Sequence, residues 1–277
     1  MESAAEYTQR LIKSGARAQK SLGQVFLISD EVIESIVSAS TLQTDIPVVE
    51  LGPGLGTVTR VLAQKVPKVW AVELDIHKIE ILQKEFRGLP IEIVHQDALN
   101  LNLNELWGDK KGYLVGNLPY YITTPLIMHY LKQADYLIGM TIMVQKEVAD
   151  RITAAPGSKI YSLLSIAVQI SAQVTKVVDV LPSAFWPAPK VNSAVLRLEF
   201  RTYPGFDVDK EDFFRVVKAA FSQRRKTIGN SLTVGLGLRK GEIKERLQYA
   251  GIPDGQRAES LSIEEFLVLT KAFTSSK

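Results

Sequence analysis

The feature that most constrains this chain is the segment 47–56, PVVELGPGLG, where an apolar run breaks into glycines at 52, 54 and 56. An apolar run of that length ended by glycine reads as a buried strand. A helical pattern over 57–66 follows, with Pro67 just beyond it. Glycines between a strand and a helix let backbone approach a ligand closely, with the helix N-terminus directed at it. The unit then repeats. Strands are expected at 69–75, 91–97, 112–121 and 138–144, with helices at 76–86 and 125–131. Alternation at this spacing, with near-continuous apolar strands, implies an α/β fold built on a doubly wound, mostly parallel sheet.

Other segments complete the outline. Residues 1–30 read as irregular or weakly helical, and 31–40 as a helix capped by Asp30. Two later strands, 174–180 and 193–200, are joined through LPSAFWPAPKV and fit an antiparallel hairpin at the sheet edge. After Phe200 the character changes. TYPGFD (202–207) reads as a linker, and helices are expected at 210–221, 227–232, 241–249 and 263–273, the last with a Ser262/Glu265 capping box. This places one boundary near 203, between a catalytic domain (1–203, with an N-terminal extension over 1–30) and a helical domain (204–277).

The 277 residues suffice for one sizeable core and a smaller appended domain. With no cysteine, disulfides, thiolate metal sites and cysteine nucleophiles are excluded. The first 30 residues lack a signal-peptide core, and no apolar stretch approaches the roughly 18 residues of a membrane span, so a cytoplasmic protein is expected; it is also expected to be a monomer. His77, His95 and His129 show no ligand spacing, and no metal is expected. Net charge is only +3, yet nine Lys or Arg lie between Arg215 and Arg246, opposed by Glu242 and Glu245. Such a local excess suits a polyanion such as RNA, and equally a solvated helical face.

The G-x-G-x-G spacing is one residue tighter than the dinucleotide fingerprint, which must seat a pyrophosphate. It suits a nucleoside with an amino-acid tail, and S-adenosylmethionine is the expected cofactor. Glu73 ends the second strand 21 residues after Gly52, where a carboxylate can accept from ribose hydroxyls. Asp97 ends the third, where it can meet an adenine amine. Helix capping is the alternative role for Asp97, as for Asp75.

Asn117-Leu118-Pro119-Tyr120 follows the fourth strand, at the same carboxyl edge of the sheet. An aromatic amine is a poor nucleophile because its lone pair is delocalised. Acceptors on both N–H bonds favour a pyramidal nitrogen, and the Asn117 side-chain carbonyl and Leu118 backbone carbonyl can supply them. Pro119 restricts the backbone of Leu118, and Tyr120 offers a flat face to an extruded base. The charge-dispersing transfer needs a fairly dry pocket rather than a strong base. A plain Asn/Pro turn is the competing reading.

At these residues the chain resembles the ribosomal RNA adenine dimethyltransferases, and within them the KsgA-type enzymes of the small ribosomal subunit. The likeness extends nearly end to end, through KSLGQVFL (20–27), VVELGPGLGTVT (48–59), VELD (72–75), QDAL (96–99), GNLPYYITTPL (116–126), QKEVADR (145–151), LPSAFWPAPKVNSAV (181–195) and FSQRRKTIGNSL (221–232). It implies a class I methyltransferase fold with a small helical C-terminal domain, and N6,N6-dimethylation of two adjacent adenosines near the 3′ end of small-subunit rRNA, in ribosome biogenesis. It also implies cofactor positions at Val25, Leu27, Gly52, Gly54, Glu73, Asp97 and Asn117. Phe185 is implied to pack on the target adenine opposite Tyr120, and Arg224, Arg225 and Lys226 to contact rRNA phosphates. Val25 departs from the family pattern, which has Asn or His there in many members. The related enzymes that methylate large-subunit rRNA and confer macrolide resistance are the nearest alternative; an assembly factor without catalysis and an NAD-dependent oxidoreductase are more distant ones.

Overall fold

The computed structural model describes residues 2–18, 24–40, 45–108, 110–201, 203 and 205–274. The first four residues of the KSLGQVFL motif, and Thr202 and Pro204 of the expected linker, lie outside them. The elements run α1 (Ala4–Lys13), β1 (Phe26–Leu27), α2 (Asp30–Ser40), β2 (Val48–Leu51), α3 (Thr59–Leu62), β3 (Val69–Glu73), α4 (Ile76–Glu85) and β4 (Ile91–His95). There follow α5 (Leu103–Trp107), β5 (Gly112–Asn117), α6 (Thr123–Leu131), β6 (Leu137–Gln145), α7 (Lys146–Ile152) and α8 (Leu163–Ser171). The chain then forms β7 (Ala172–Val180), β8 (Phe185–Trp186), β9 (Ser193–Phe200), α9 (Lys210–Ala220), α10 (Ile228–Leu236), α11 (Lys240–Tyr249) and α12 (Ile263–Thr274).

Seven strands make one sheet in the order β4-β3-β2-β5-β6-β9-β7. The pairs from β4 through β6 are parallel, and β9 runs antiparallel to both neighbours. Strands β2 and β3 are buried along their whole length, which is why VVEL and VWAVE lack the alternation of a one-faced strand. The outer β4 is only partly buried and carries Glu92 and His95. The expected hairpin is present as β7 against β9, with β7 at the edge. A separate two-stranded ribbon pairs β1 with β8, matching Phe26 with Trp186 and Leu27 with Phe185.

Strand order decides where ligands go. Sequence-adjacent β2 and β3 are neighbours, and the order then reverses so that β2 also lies beside β5. That reversal is the switch point at which an open α/β sheet opens a crevice past its carboxyl ends. Leu51 pairs with Gly116 in register, so the chain leaves β2 into Gly52 at the level where β5 reaches Asn117.

Two compact units emerge: 1–149 with 172–200, and 150–171 with 201–277. The sequence alone gave one boundary near 203, whereas 150–171 groups with the C-terminal helices. The reason is apolar packing within that helical unit. Ile166 and Ile170 of α8 belong to the same buried cluster as Phe213, Val217, Leu232, Ile243 and Phe266. Helices α5, α7 and α8 are absent from the sequence-based expectation. In α1, expected to be irregular or weak, Ser3 and Glu6 form a reciprocal capping box, and the Tyr7 hydroxyl donates to the Leu55 carbonyl at 3.0 Å. The helix expected over 57–66 is shorter, Thr59–Leu62, because turns occupy both flanks. The capping box at Ser262 and Glu265 is formed. No helix among the described residues is long and apolar enough to cross a membrane.

Candidate active site

A cleft of about 480 Å³ opens at the switch point. The glycine bend lines it through Gly52 and Gly54, and the turn after β5 through Asn117, Leu118, Pro119 and Tyr120. Val25, Glu73 and Asp97 line the same space. Segments distant in sequence thus converge because β2, β3, β4 and β5 are adjacent and parallel, all ending on one edge.

The bend has the conformation only glycine adopts readily: φ is +63° at Gly52, +60° at Gly54 and +86° at Gly56. At Gly56 a Cβ would stand 2.5 Å from the Phe86 ring, so the position is closed to side chains on packing grounds as well.

Glu73 is buried and fixed by backbone donors. Its Oε1 accepts from the N–H groups of Leu74 (2.9 Å) and Asp75 (3.0 Å), and its Oε2 from Gly54 N–H at 3.3 Å. A carboxylate has about four acceptor positions, so Oε2 keeps one for a ribose hydroxyl. Asp97 Oδ1 accepts from Leu99 N–H at 2.9 Å, and the next carbonyl, that of Ala98, accepts from the Tyr130 hydroxyl at 2.7 Å. Asp97 therefore caps its own turn and also faces the cleft. Asp75 caps α4 through His77 N–H.

The turn after β5 is anchored at both ends. Leu118 N–H donates to the Met143 carbonyl at 3.1 Å, and Pro119 carbonyl accepts from Ile122 N–H and the Thr123 hydroxyl. The Leu118 side chain is buried, which holds its backbone at the cleft wall. Tyr120 is half-buried, and burial pushes its phenol pKa upward.

Two expected site residues are placed differently. Leu27 is 3% exposed and Phe185 3% exposed; both belong to the core cluster with Val37, Val58 and Val195, and neither lines the cleft. Successive strand residues face opposite ways, so pairing with β1 turns Phe185 inward and leaves Trp186 half-exposed, stacked on Phe26. Phe185 thus offers no free face to a base opposite Tyr120. In the helical unit Arg224, Arg225 and Lys226 are all exposed, and one N–H of Arg224 donates to the Lys159 carbonyl at 2.7 Å.

Sequence reasoning missed two residues of the cleft and one buried acid behind it. Glu50 lies 3% exposed in the middle of the sheet, with Oε2 lacking a hydrogen-bond partner among the described residues. Burial, aided by the charge of Glu73, pushes its carboxyl up to about 7. A lone acid inside VVEL was the available signal. Lys78 and Tyr121 also line the cleft. No group of His, Asp or Glu suited to a metal ion occurs among the described residues.

Comparison with known proteins gives a consistent picture. The family model for ribosomal RNA adenine dimethylase matches residues 15–275. The chain is 62% identical over 272 residues to ribosomal RNA small subunit methyltransferase A of Desulfitobacterium hafniense, covering 98% of each. Among solved structures it is similar to a dimethyladenosine transferase from Plasmodium falciparum, with TM-score 0.73 and 24% identity over 88% of this chain and 95% of that one. It is also similar to the 23S rRNA methyltransferase ErmE, with TM-score 0.69 and 27% identity over 89% and 98%.

Proposed function

Since the chain belongs to the ribosomal RNA adenine dimethylase family, we propose that it dimethylates N6 of two adjacent adenosines near the 3′ end of small-subunit rRNA. S-adenosylmethionine is the methyl donor, and the work is done in the cytoplasm during ribosome biogenesis. The observation that carries this reading is the convergence of the 52–54 bend and the 117–120 turn on one cleft. The residues fit the cofactor: Glu73 retains an acceptor for its ribose, Asp97 stands at the neighbouring strand end for its adenine, and glycines leave room for its tail. When bound, the cofactor supplies a methyl group on a sulfonium.

This chain's own residues do the rest. In the first transfer the Asn117 side-chain carbonyl and the Leu118 carbonyl accept the two N–H bonds of the target amine, and in the second one of them accepts the single N–H that remains, so that the lone pair is directed at the methyl carbon. Pro119 holds the backbone that aims those acceptors, and the Tyr120 ring receives the extruded base. The proton leaves the amine after the methyl arrives, when the nitrogen has become acidic, and water takes it. In the helical unit, the exposed Arg225 and Lys226 contact phosphates and position RNA without reading its sequence; Arg224, one N–H of which is taken by the Lys159 carbonyl, contributes less.

Identity of 62% to a small-subunit enzyme against 27% to ErmE favours the small-subunit substrate. The test is mass spectrometry of nucleosides after incubating small-subunit and large-subunit RNA particles with the protein and methyl-labelled cofactor. Labelled dimethyladenosine from the small-subunit sample alone is expected. Label confined to the large-subunit sample would overturn the choice of substrate, and no label in adenosine would overturn the reaction.

A further inference from the structure

Lys78 stands in the cleft wall, and nothing in the reaction above uses it. It is 5% exposed and is the one Lys or Arg among the described residues that line the cleft. Two circumstances make the placement costly. An ammonium is poorly solvated at that depth, and the first turn of α4 is the end of a helix that disfavours positive charge. Compensation is partial. The Asp75 Oδ2 lies 3.7 Å from Nζ, a long separation for an ion pair, and the Phe26 ring centroid is 5.8 Å away. Burial accordingly lowers the pKa of the ammonium, against the raising effect of Glu73 and Asp75.

The ends of the cleft can be told apart. Because the strands run β4-β3-β2, Glu73 at the tip of β3 lies between Asp97, past β4, and the glycine bend, past β2. Lys78 belongs with the glycine end through Phe26, whose Cδ1 would stand 3.5 Å from a Cβ built on Gly54. An S-adenosylmethionine with its adenine at Asp97 and its ribose at Glu73 directs its amino-acid tail toward that end. The tail carries a carboxylate. Apart from Asp75 beside Lys78 and Glu73 on the Gly54 N–H, the side chains lining this end, Gln24, Val25 and Phe26, are uncharged, so Lys78 is the cation available to that carboxylate.

We infer that Lys78 binds the carboxylate of the cofactor's amino-acid tail, an assignment that rests on the cofactor site proposed above. The ligand completes the ion pairing that Asp75 leaves partial, which accounts for a buried lysine in a cleft otherwise lined by acidic, neutral polar and apolar side chains and His77.

Calorimetry with two probes tests this. S-adenosylhomocysteine has adenosine, sulfur and the amino-acid tail; 5′-methylthioadenosine has the first two and lacks the tail. Lys78→Met keeps the length of the stem and removes the charge. The variant is expected to bind S-adenosylhomocysteine roughly tenfold or more weakly than wild type, the scale of a hydrogen bond to a charged group. Its affinity for 5′-methylthioadenosine is expected to be unchanged, and its ligand-free thermal midpoint no lower than wild type. Equal losses for both probes, or no loss for either, would overturn the role of Lys78. Failure of the wild-type protein to bind S-adenosylhomocysteine at all would instead overturn the cofactor site itself.

Discussion

The hydroxyls of Tyr120 and Ser193 stand 2.7 Å apart, joining the turn after β5 to the first residue of β9 across 73 positions of chain. Ser193 is wholly buried and pairs with Gln145 at the end of β6. The ring expected to receive the base is therefore fastened at its far edge to the sheet. A fixed ring presents one plane to an incoming base, and a free one loses rotamer entropy on binding.

Tyr120→Phe keeps the ring and releases the tether. Single-turnover methylation is expected to slow about fivefold, the scale of one net hydrogen bond, whereas Tyr120→Ala should slow it about a hundredfold through lost stacking. Affinity for S-adenosylhomocysteine should stay near wild type in both. Adding Ser193→Ala to Tyr120→Phe should slow the reaction no further; additive losses would show that the tether is irrelevant to the ring.

Asn117→Ala removes one of the two acceptors assigned to the target amine. The methylation rate constant is expected to fall by a factor on the order of 10² to 10³, as for loss of one preorganised polar group in a dry site. RNA affinity, measured by filter binding, should be unchanged. Asn117→Asp keeps an acceptor and should lose less than the alanine variant; the reverse ranking would count against the acceptor role.

Glu50 gives a stability prediction. Its folded pKa of about 7 lies above the ordinary carboxylate value of 4.5, so between those pH values the folded state binds more protons than the unfolded one. Stability therefore falls as pH rises from about 4.5 to about 7, and this contribution is level above that. The total is of order 3 kcal/mol. Glu50→Gln should remove that slope in urea unfolding of the ligand-free protein at pH 5 to 8, and should gain on wild type toward pH 8. Parallel wild-type and variant profiles would refute the buried-carboxyl assignment.

Arg224, Arg225 and Lys226 are all exposed, and one N–H of Arg224 is engaged with the Lys159 carbonyl. Arg225→Ala with Lys226→Ala should weaken RNA binding and reduce the slope of log affinity against log salt by about 1.4, two phosphate contacts at roughly 0.7 each for single strands. Arg224→Ala should change the slope little and lower the thermal midpoint slightly. A slope unaltered by the double substitution would remove this face from the RNA interface.

Much of the site was legible because its residues lie at strand ends, and strand ends are marked locally. Gly52 and Gly54 break an apolar run; Glu73 and Asp97 are the acids closing two more; Asn117–Tyr120 closes a fourth. What stayed hidden was any property depending on which segments touch. Lys78 reads as an ordinary helical lysine, and Glu50 as one charge in a strand, until the fold buries both. The resemblance assigned Phe185 to the base, but pairing of β8 with β1 turns its ring into the core. Apolar packing likewise drew 150–171 into the helical unit, although the change in composition lies near 203.

The sequence by itself determined the alternation of strands and helices and the chemistry available at each strand end, since periodicity, glycine and proline act within a few residues. Only the tertiary structure decided that β2 lies between β3 and β5, which brings Gly52 level with Asn117 and opens the cleft between them. Strand order is a choice among pairings of segments dozens of residues apart, settled by burial of both sheet faces at once, and no local pattern carries that information.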